Sequence, residues 1–339
     1  MEWEYPSTST PTGRTPSKRV RTPSKRVNAE RAETRELKLA HASNRTDFLL
    51  MSSVTIKGRP VPIAYDGGNT EQLQKALDTT MFKDWKASVN ANKSLNVKKI
   101  EVQGIDMFGP TKVGFLKFKA DVEVDGRFVP GIVFMRGGAV AILVILSCAG
   151  KEYAVLTKQP RVPVGDDAYP EIPAGMLDGD GAFGGVAAKE MKEETGIEIL
   201  EKDLVDMTDL AYGPRFKGMI PSAGGCDEFL RLFVYKREVA KNELDALIGK
   251  TGLGVREEGE VITLDVKPLS ELWKCTSDGK TLASLCLYDK LVSEGKIEGA
   301  STPSKSPAVS IWMAGCVAIA AAVAGAFVAS MKPTGSMAN

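Results

Sequence analysis

The chain has 339 residues, with 44 basic and 43 acidic side chains and a net charge of +1. That balance makes no case for bulk nucleic-acid binding, and the length suits one sizeable domain with appendages or two smaller domains. The single histidine, His41, lies outside the globular part, which excludes a histidine triad or a histidine-ligated zinc from the core. The five cysteines are scattered without CxxC spacing and suggest reduced thiols.

Residues 1–53 are rich in Ser, Thr, Pro, Arg and Lys and read as a disordered basic tail. The heptapeptide RTPSKRV occurs in tandem at 14–20 and 21–27, and TPSK returns at 302–305. Thr15, Thr22 and Thr302 therefore resemble proline-directed kinase sites, or belong to a duplicated basic linker. No apolar h-region marks a secretory signal. An organelle transit peptide is left open by the Arg/Ser/Thr content and opposed by Glu2, Glu4, Glu30, Glu33 and Glu36.

From residue 54 the pattern changes. Val54–Ile63 reads as extended and broken by prolines, and Thr70–Val89 as a helix burying Leu73, Leu77, Phe82 and Trp85. Strand-like runs follow at Ile100–Met107, Val113–Val124, Arg127–Met135, Ala139–Leu146 and Tyr153–Thr157, with Asp125-Gly126 as a hairpin signal. AVAILVILS is almost continuously apolar and predicts a central strand buried on both faces.

The chemistry concentrates in EIPAGMLDGDGAFGGVAAKEMKEETGI, residues 171–197. A glycine-rich loop leads into a short helix ending at Gly196, the usual residue for a left-handed terminus. Glu190, Glu193 and Glu194 have i, i+3, i+4 spacing and so share a helix face. Like charges placed together need a counter-charge. A hard divalent cation that takes oxygen ligands and binds phosphates supplies one.

Beyond it, Leu204–Leu210 and Phe229–Tyr235 predict strands, Glu243–Ile248 a short helix, and the run ending near Pro268 another strand. Ser270–Lys274 and Lys280–Glu294 predict amphipathic helices, the second with Leu282, Leu285, Cys286 and Leu291 facing the core. Residues 299–310 form a linker. Ile311–Met331 carries no charge and is long enough to cross ~30 Å of hydrocarbon, with Trp312, Lys305 and Lys332 at its borders. The expectation is a C-terminal transmembrane tail anchor, with the catalytic domain in the cytosol and the identity of the membrane open.

The 171–197 stretch resembles the Nudix box, G-x5-E-x7-R-E-U-x-E-E-x-G-U. Gly175, Glu190, Met191, Glu193, Glu194, Gly196 and Ile197 fall in register; Gly181 replaces the first glutamate and Lys189 the arginine. Further segments, among them VQGIDMFG, YAVLTKQPRVPVG, PSAGGCDE, VREEGEVI and ELWKCTSDGKTL, make residues 98–296 similar to the plant ADP-sugar diphosphatases of the ADP-ribose pyrophosphatase group. The resemblance implies an α+β fold, an α/β/α sandwich on a mixed sheet over 136–298. It also implies an N-terminal β-rich subdomain over 54–135 through which members form homodimers. The implied reaction is hydrolysis of ADP-glucose or ADP-ribose to AMP and a sugar 1-phosphate, with Mg²⁺ or Mn²⁺.

The implied metal ligands are Glu190, Glu193, Glu194, Glu260 and the Ala174 carbonyl. Glu258 is assigned as general base, with Glu257 adjacent. Arg161 is assigned to phosphate, Gln159 and Glu171 to adenine or ribose hydroxyls, and Asp227 and Glu228 to sugar or metal. Each of these five substrate-side residues equally suits a structural hydrogen-bonding role. The alternatives are a UDP- or GDP-sugar enzyme and, because of Gly181 and Lys189, a catalytically weak nucleotide-sugar-binding scaffold at a membrane.

Overall fold

The computed structural model of the protein describes residues 50–67, 69–177, 183–255 and 260–298. Two sheets organise it. The first opens with a hairpin, β1 (Leu50–Ile56) and β2 (Arg59–Tyr65), turned by Lys57-Gly58 with φ of 51° and 72°. Residues 50–53, assigned by composition to the tail, are paired in β1, in antiparallel register with Pro62–Tyr65 of β2.

Two helices follow instead of one: α1 (Thr70–Asp78) and α2 (Thr80–Ala91). Thr79 breaks the run by accepting from the Phe82 N–H while its own hydroxyl donates to the Ala76 carbonyl. It is thus the N-cap of α2 and closes α1. Strands β3 (Asn96–Phe108), β4 (Lys112–Val124), β5 (Arg127–Val129) and β6 (Ile132–Met135) complete the sheet, in the order β1-β2-β3-β4-β5 with β6 also on β4. The run expected as one strand over Arg127–Met135 is split at Pro130-Gly131. The hairpin at Asp125-Gly126 has both φ angles positive, as its turn type requires. Phe82 and Phe118 are fully buried in this core and pack edge-on, with Trp85 beside them.

The second sheet is mixed. Its strands are β7 (Gly138–Cys148), β8 (Lys151–Arg161), β9 (Asp166–Glu171), β10 (Ala174–Met176), β11 (Leu204–Asp206), β12 (Phe229–Glu238), β13 (Thr251–Leu253) and β14 (Ile262–Pro268). The order is β11-β12-β7-β8-β14-β13, with β10 on β7 and β9 on β8. β7 is buried along almost its whole length between parallel β12 and antiparallel β8, as its unbroken apolar run predicts.

Helices cover both faces. On one, α3 (Phe183–Thr195) buries Ala187 and Met191 against Val140, Ile142 and Val144. On the other, α4 (Met207–Tyr212) and α7 (Gly279–Ser293) pack Met207, Tyr288 and Leu291 over Leu143, Ile145 and Leu156. The shorter α5 (Lys241–Leu247) and α6 (Leu272–Cys275) flank them. The α/β/α sandwich is therefore present. Leu204–Leu210 is not a single strand: Asp206 accepts from the Asp209 N–H and starts α4 there. The buried face of α7 carries Thr281, Ser284, Tyr288 and Leu291, while Leu282 and Cys286 are exposed. The polar Thr281 and Ser284 outcompete them because the helix start is held by Asp278.

The transmembrane helix is corrected. Among the described residues no helix is long and apolar enough to cross a membrane. Residues 311–331, on which that expectation fell, lie outside the described residues, as do residues 1–49, the linker and Thr15, Thr22 and Thr302. The membrane anchor and the localisation built on it are withdrawn. Nothing among the described residues supports the homodimer expected through 54–135, and it is withdrawn as well.

Candidate active site

β10 and α3 form the centre of the candidate site. Gly175 lies in β10 opposite Val140, and Glu190 crosses directly over it: a Cβ built on Gly175 would lie 1.9 Å from the Glu190 Cδ. Only glycine permits that approach. At the adjoining residue, the Ala174 N–H donates to Glu194 Oε2 at 2.9 Å, tying α3 to the strand. The other Glu194 oxygen accepts from Gln159 Nε2 at 3.4 Å. Gln159, expected as a substrate contact, is itself buried and faces Glu194.

Glu194 is 3% exposed, and its carboxyl is pushed up to about 8. Burial is the main cause, opposed by the Ala174 N–H and reinforced by the charges of Glu190, Glu260 and Glu171. Glu193, on the same helix, is more open and pairs with Lys189 at 3.5 Å. Lys189 thus supplies a cation at the place of the Nudix-box arginine, one helical turn before Glu193. Glu260 comes in from the loop before β14. Its Oε2 accepts from the Val255 N–H at 2.8 Å, and Gly254 in turn donates its N–H to the Glu193 carbonyl at 2.9 Å. The C-terminal end of α3 and the second acidic loop are therefore held together by backbone. Glu258 and Glu257 lie outside the described residues, as does Gly181.

A second group of charges adjoins this one. Glu171 ends β9 and is 3% exposed; its Oε1 takes Arg161 Nε at 2.5 Å and its Oε2 takes Lys280 Nζ. Arg161 ends β8, and the β8/β9 hairpin carries it out beside Asp166. Asp227 and Glu228 sit at the junction of the two sheets. Asp227 Oδ1 accepts from the Arg136 and Gly137 N–H groups at 2.9 and 3.2 Å, and Glu228 lies 3.3 Å from Arg136 Nε. Burial raises both carboxyls; the two backbone donors oppose it for Asp227, and the Arg136 and Lys280 charges oppose it for Glu228.

The profile of the NUDIX domain matches residues 135–283. "Nudix hydrolase 14, chloroplastic" of Arabidopsis thaliana is 41% identical over 261 residues, covering 73% of this chain and 84% of that protein. The chain belongs to the Nudix hydrolase family. Two solved structures are similar at lower level. A crystal structure of an ADP compounds hydrolase has 15% identity and a TM-score of 0.37, covering 60% of this chain and 99% of its own. A C. elegans Ap4A hydrolase has 16% identity and a TM-score of 0.33, covering 46% and 98%. Both likenesses are too weak to bear on substrate.

A Nudix domain implies dependence on a divalent metal ion. Among the described residues no three acidic, cysteine or histidine side chains already converge into a metal cage. The donor chemistry nevertheless fits. Glu190, Glu194 and Glu260 offer only oxygen donors, the charges of Glu190 and Glu260 help keep Glu194 protonated, and a hard cation would offset that charge. Lys280 was not singled out from sequence. The signal that would have found it is the N-cap Asp278, which starts α7 and puts Lys280 in its first turn.

Proposed function

We propose that this Nudix hydrolase cleaves the diphosphate bond of ADP-sugars, ADP-glucose or ADP-ribose, to AMP and a sugar 1-phosphate. The observation that carries the reading is the buried Glu194, braced by Ala174 and Gln159 among Glu190, Glu260 and Glu171. Glu190, Glu193, Glu194, Glu260 and the Ala174 carbonyl would hold Mg²⁺ or Mn²⁺. When bound, such an ion neutralises diphosphate charge and lowers the pKa of a water beside it.

The chain's own groups do the rest. Gln159 and the Ala174 N–H fix the orientation of Glu194. Arg161, half-exposed and anchored among the described residues through Nε to Glu171, offers its terminal nitrogens to a phosphate, whose geometry a guanidinium matches. Glu258 is assigned to take the proton from the attacking water. The ADP-sugar preference rests on the ordered segments shared with that branch of the family.

The full-length protein incubated with ADP-glucose, ADP-ribose, UDP-glucose and GDP-mannose provides the test. The expected result is AMP release from the two ADP compounds with Mg²⁺ or Mn²⁺, abolished by chelator. Faster turnover of UDP-glucose or GDP-mannose would overturn the nucleotide assignment, and binding without turnover of any compound would overturn the hydrolytic one.

A further inference from the structure

Lys280 stands where a lysine is expensive. It lies in the first turn of α7, at the positive end of the helix dipole, which disfavours a cation. Its side chain is only 12% exposed, and a buried ammonium must be paired. Two carboxylates pair it: Glu171 Oε2, and Asp278 Oδ1 at 3.2 Å. Asp278 is itself fixed, because its other oxygen accepts from the Thr281 N–H and hydroxyl at 3.0 and 2.6 Å. Thr281 Oγ1 in turn accepts from the Ile172 N–H at 3.1 Å, so the start of α7 is bonded to the residue after Glu171. A buried ion pair is weak evidence for stability. The arrangement here is better explained by what it holds in place.

What it holds is Arg161. Both oxygens of Glu171 are engaged, one by Lys280 and one by Arg161 Nε. Arg161 is 39% exposed, and among the described residues Glu171 is its only side-chain partner. With Nε held by Glu171, the terminal nitrogens have no side-chain partner among the described residues and remain for an anion. We infer that Lys280 is a positioning residue for substrate binding: through Glu171 it fixes the Arg161 guanidinium that receives the substrate diphosphate. This rests on the ADP-sugar reading given above. It also changes the role of Glu171, from a reader of ribose hydroxyls to the link between two cations. Lys280 itself reaches the substrate only through that link.

The test uses full-length protein and two ligands: ADP-glucose as substrate, and the α,β-methylene analogue of ADP-ribose, with Mg²⁺, for binding without cleavage. Lys280→Met should raise KM and the analogue's dissociation constant by roughly tenfold, the scale of one charged hydrogen bond, with kcat changed by less than about threefold. Lys280→Arg, which keeps the charge and the donors, should recover most of the affinity. Lys280→Met combined with Arg161→Ala should bind no more weakly than Arg161→Ala alone, since a positioning residue has nothing left to position. Unchanged affinity in Lys280→Met, or losses that multiply in the double variant, would overturn the inference while leaving wild-type turnover intact. If Lys280→Met proves unfolded, the Lys280→Arg and Arg161→Ala arms decide. Lys280→Arg alone must stay near wild-type affinity, and combined with Arg161→Ala must add nothing to the Arg161→Ala loss; failure of either overturns the inference. Wild-type protein that neither binds the analogue nor releases AMP would overturn this inference and the substrate reading together.

Discussion

Burial and neighbouring carboxylates raise the Glu194 carboxyl from its ordinary 4.5 to about 8. Between those values the folded state holds a proton that the unfolded chain has released. Stability is therefore fully present below about pH 4.5 and is lost as pH rises toward 8, by about 1.4 kcal/mol per pH unit at most. Urea midpoints measured in chelator should fall from pH 5 to pH 8 in the wild type and stay much flatter in Glu194→Gln. An equal fall in the variant would place the titrating group elsewhere. Saturating Mg²⁺ should restore the wild type at pH 8, since a ligand that binds only the folded state stabilises it. The same substitution should reduce kcat by about 100-fold or more, the usual loss when a charge-stabilising group at a reacting centre is removed. The residue scale is also where reading from sequence reached its limit. Glu190, Glu193 and Glu194 were legible because their spacing is local. The bond between Lys280 and Glu171 spans 109 residues and leaves no local pattern.

At the scale of elements, the packing of α3 on β10 depends on the missing side chain of Gly175. Gly175→Ala puts a methyl into the Glu190 carboxyl, so either the glutamate or the helix must move. Overpacking of this kind costs about 1–3 kcal/mol. The expected outcome is a lower urea midpoint together with lost metal-dependent activity. A variant with wild-type stability and turnover would show that Glu190 has another place to go. The helix itself was readable from its acidic spacing and from Gly196, whose φ of +70° ends it. The phase of α7 was legible only in part. Counting apolar side chains selects Leu282 and Cys286 along with Leu285 and Leu291, which do pack on the core, but the cap at Asp278 and the bond from Ile172 to Thr281 turn the polar Thr281 and Ser284 inward in place of the first two. The division between α1 and α2 was missed for a related reason: Thr79 is compatible with a helix interior by propensity and acts here as a cap.

Across the whole molecule, the path from β6 into β7 is held by a side chain distant in the sequence. Asp227 satisfies the Arg136 and Gly137 N–H groups, and the Phe134 N–H donates to the Gly225 carbonyl at 2.8 Å. Asp227→Ala leaves two partly buried donors unpaired and should cost about 2–4 kcal/mol. Activity per folded molecule should stay near wild type if the role is structural. A variant of unchanged stability with a raised KM would return Asp227 to the substrate. Nothing in local periodicity could separate these roles, because the partners of Asp227 lie 91 and 90 residues away. At the other end of the described chain, Lys236 Nζ donates to the Glu298 carbonyl and Lys296 Nζ to the Leu210 carbonyl. Residues 296–298 are thereby moored to α4 and β12, at the far end of α7 from Lys280. At 1.5 Å per residue, the helix between Lys280 and Ser293 spans about 20 Å. A protein tethered to a sensor chip beyond residue 298 would therefore be held at the end of α7 opposite Lys280 and its Glu171 partner, a favourable geometry for recording ligand kinetics directly.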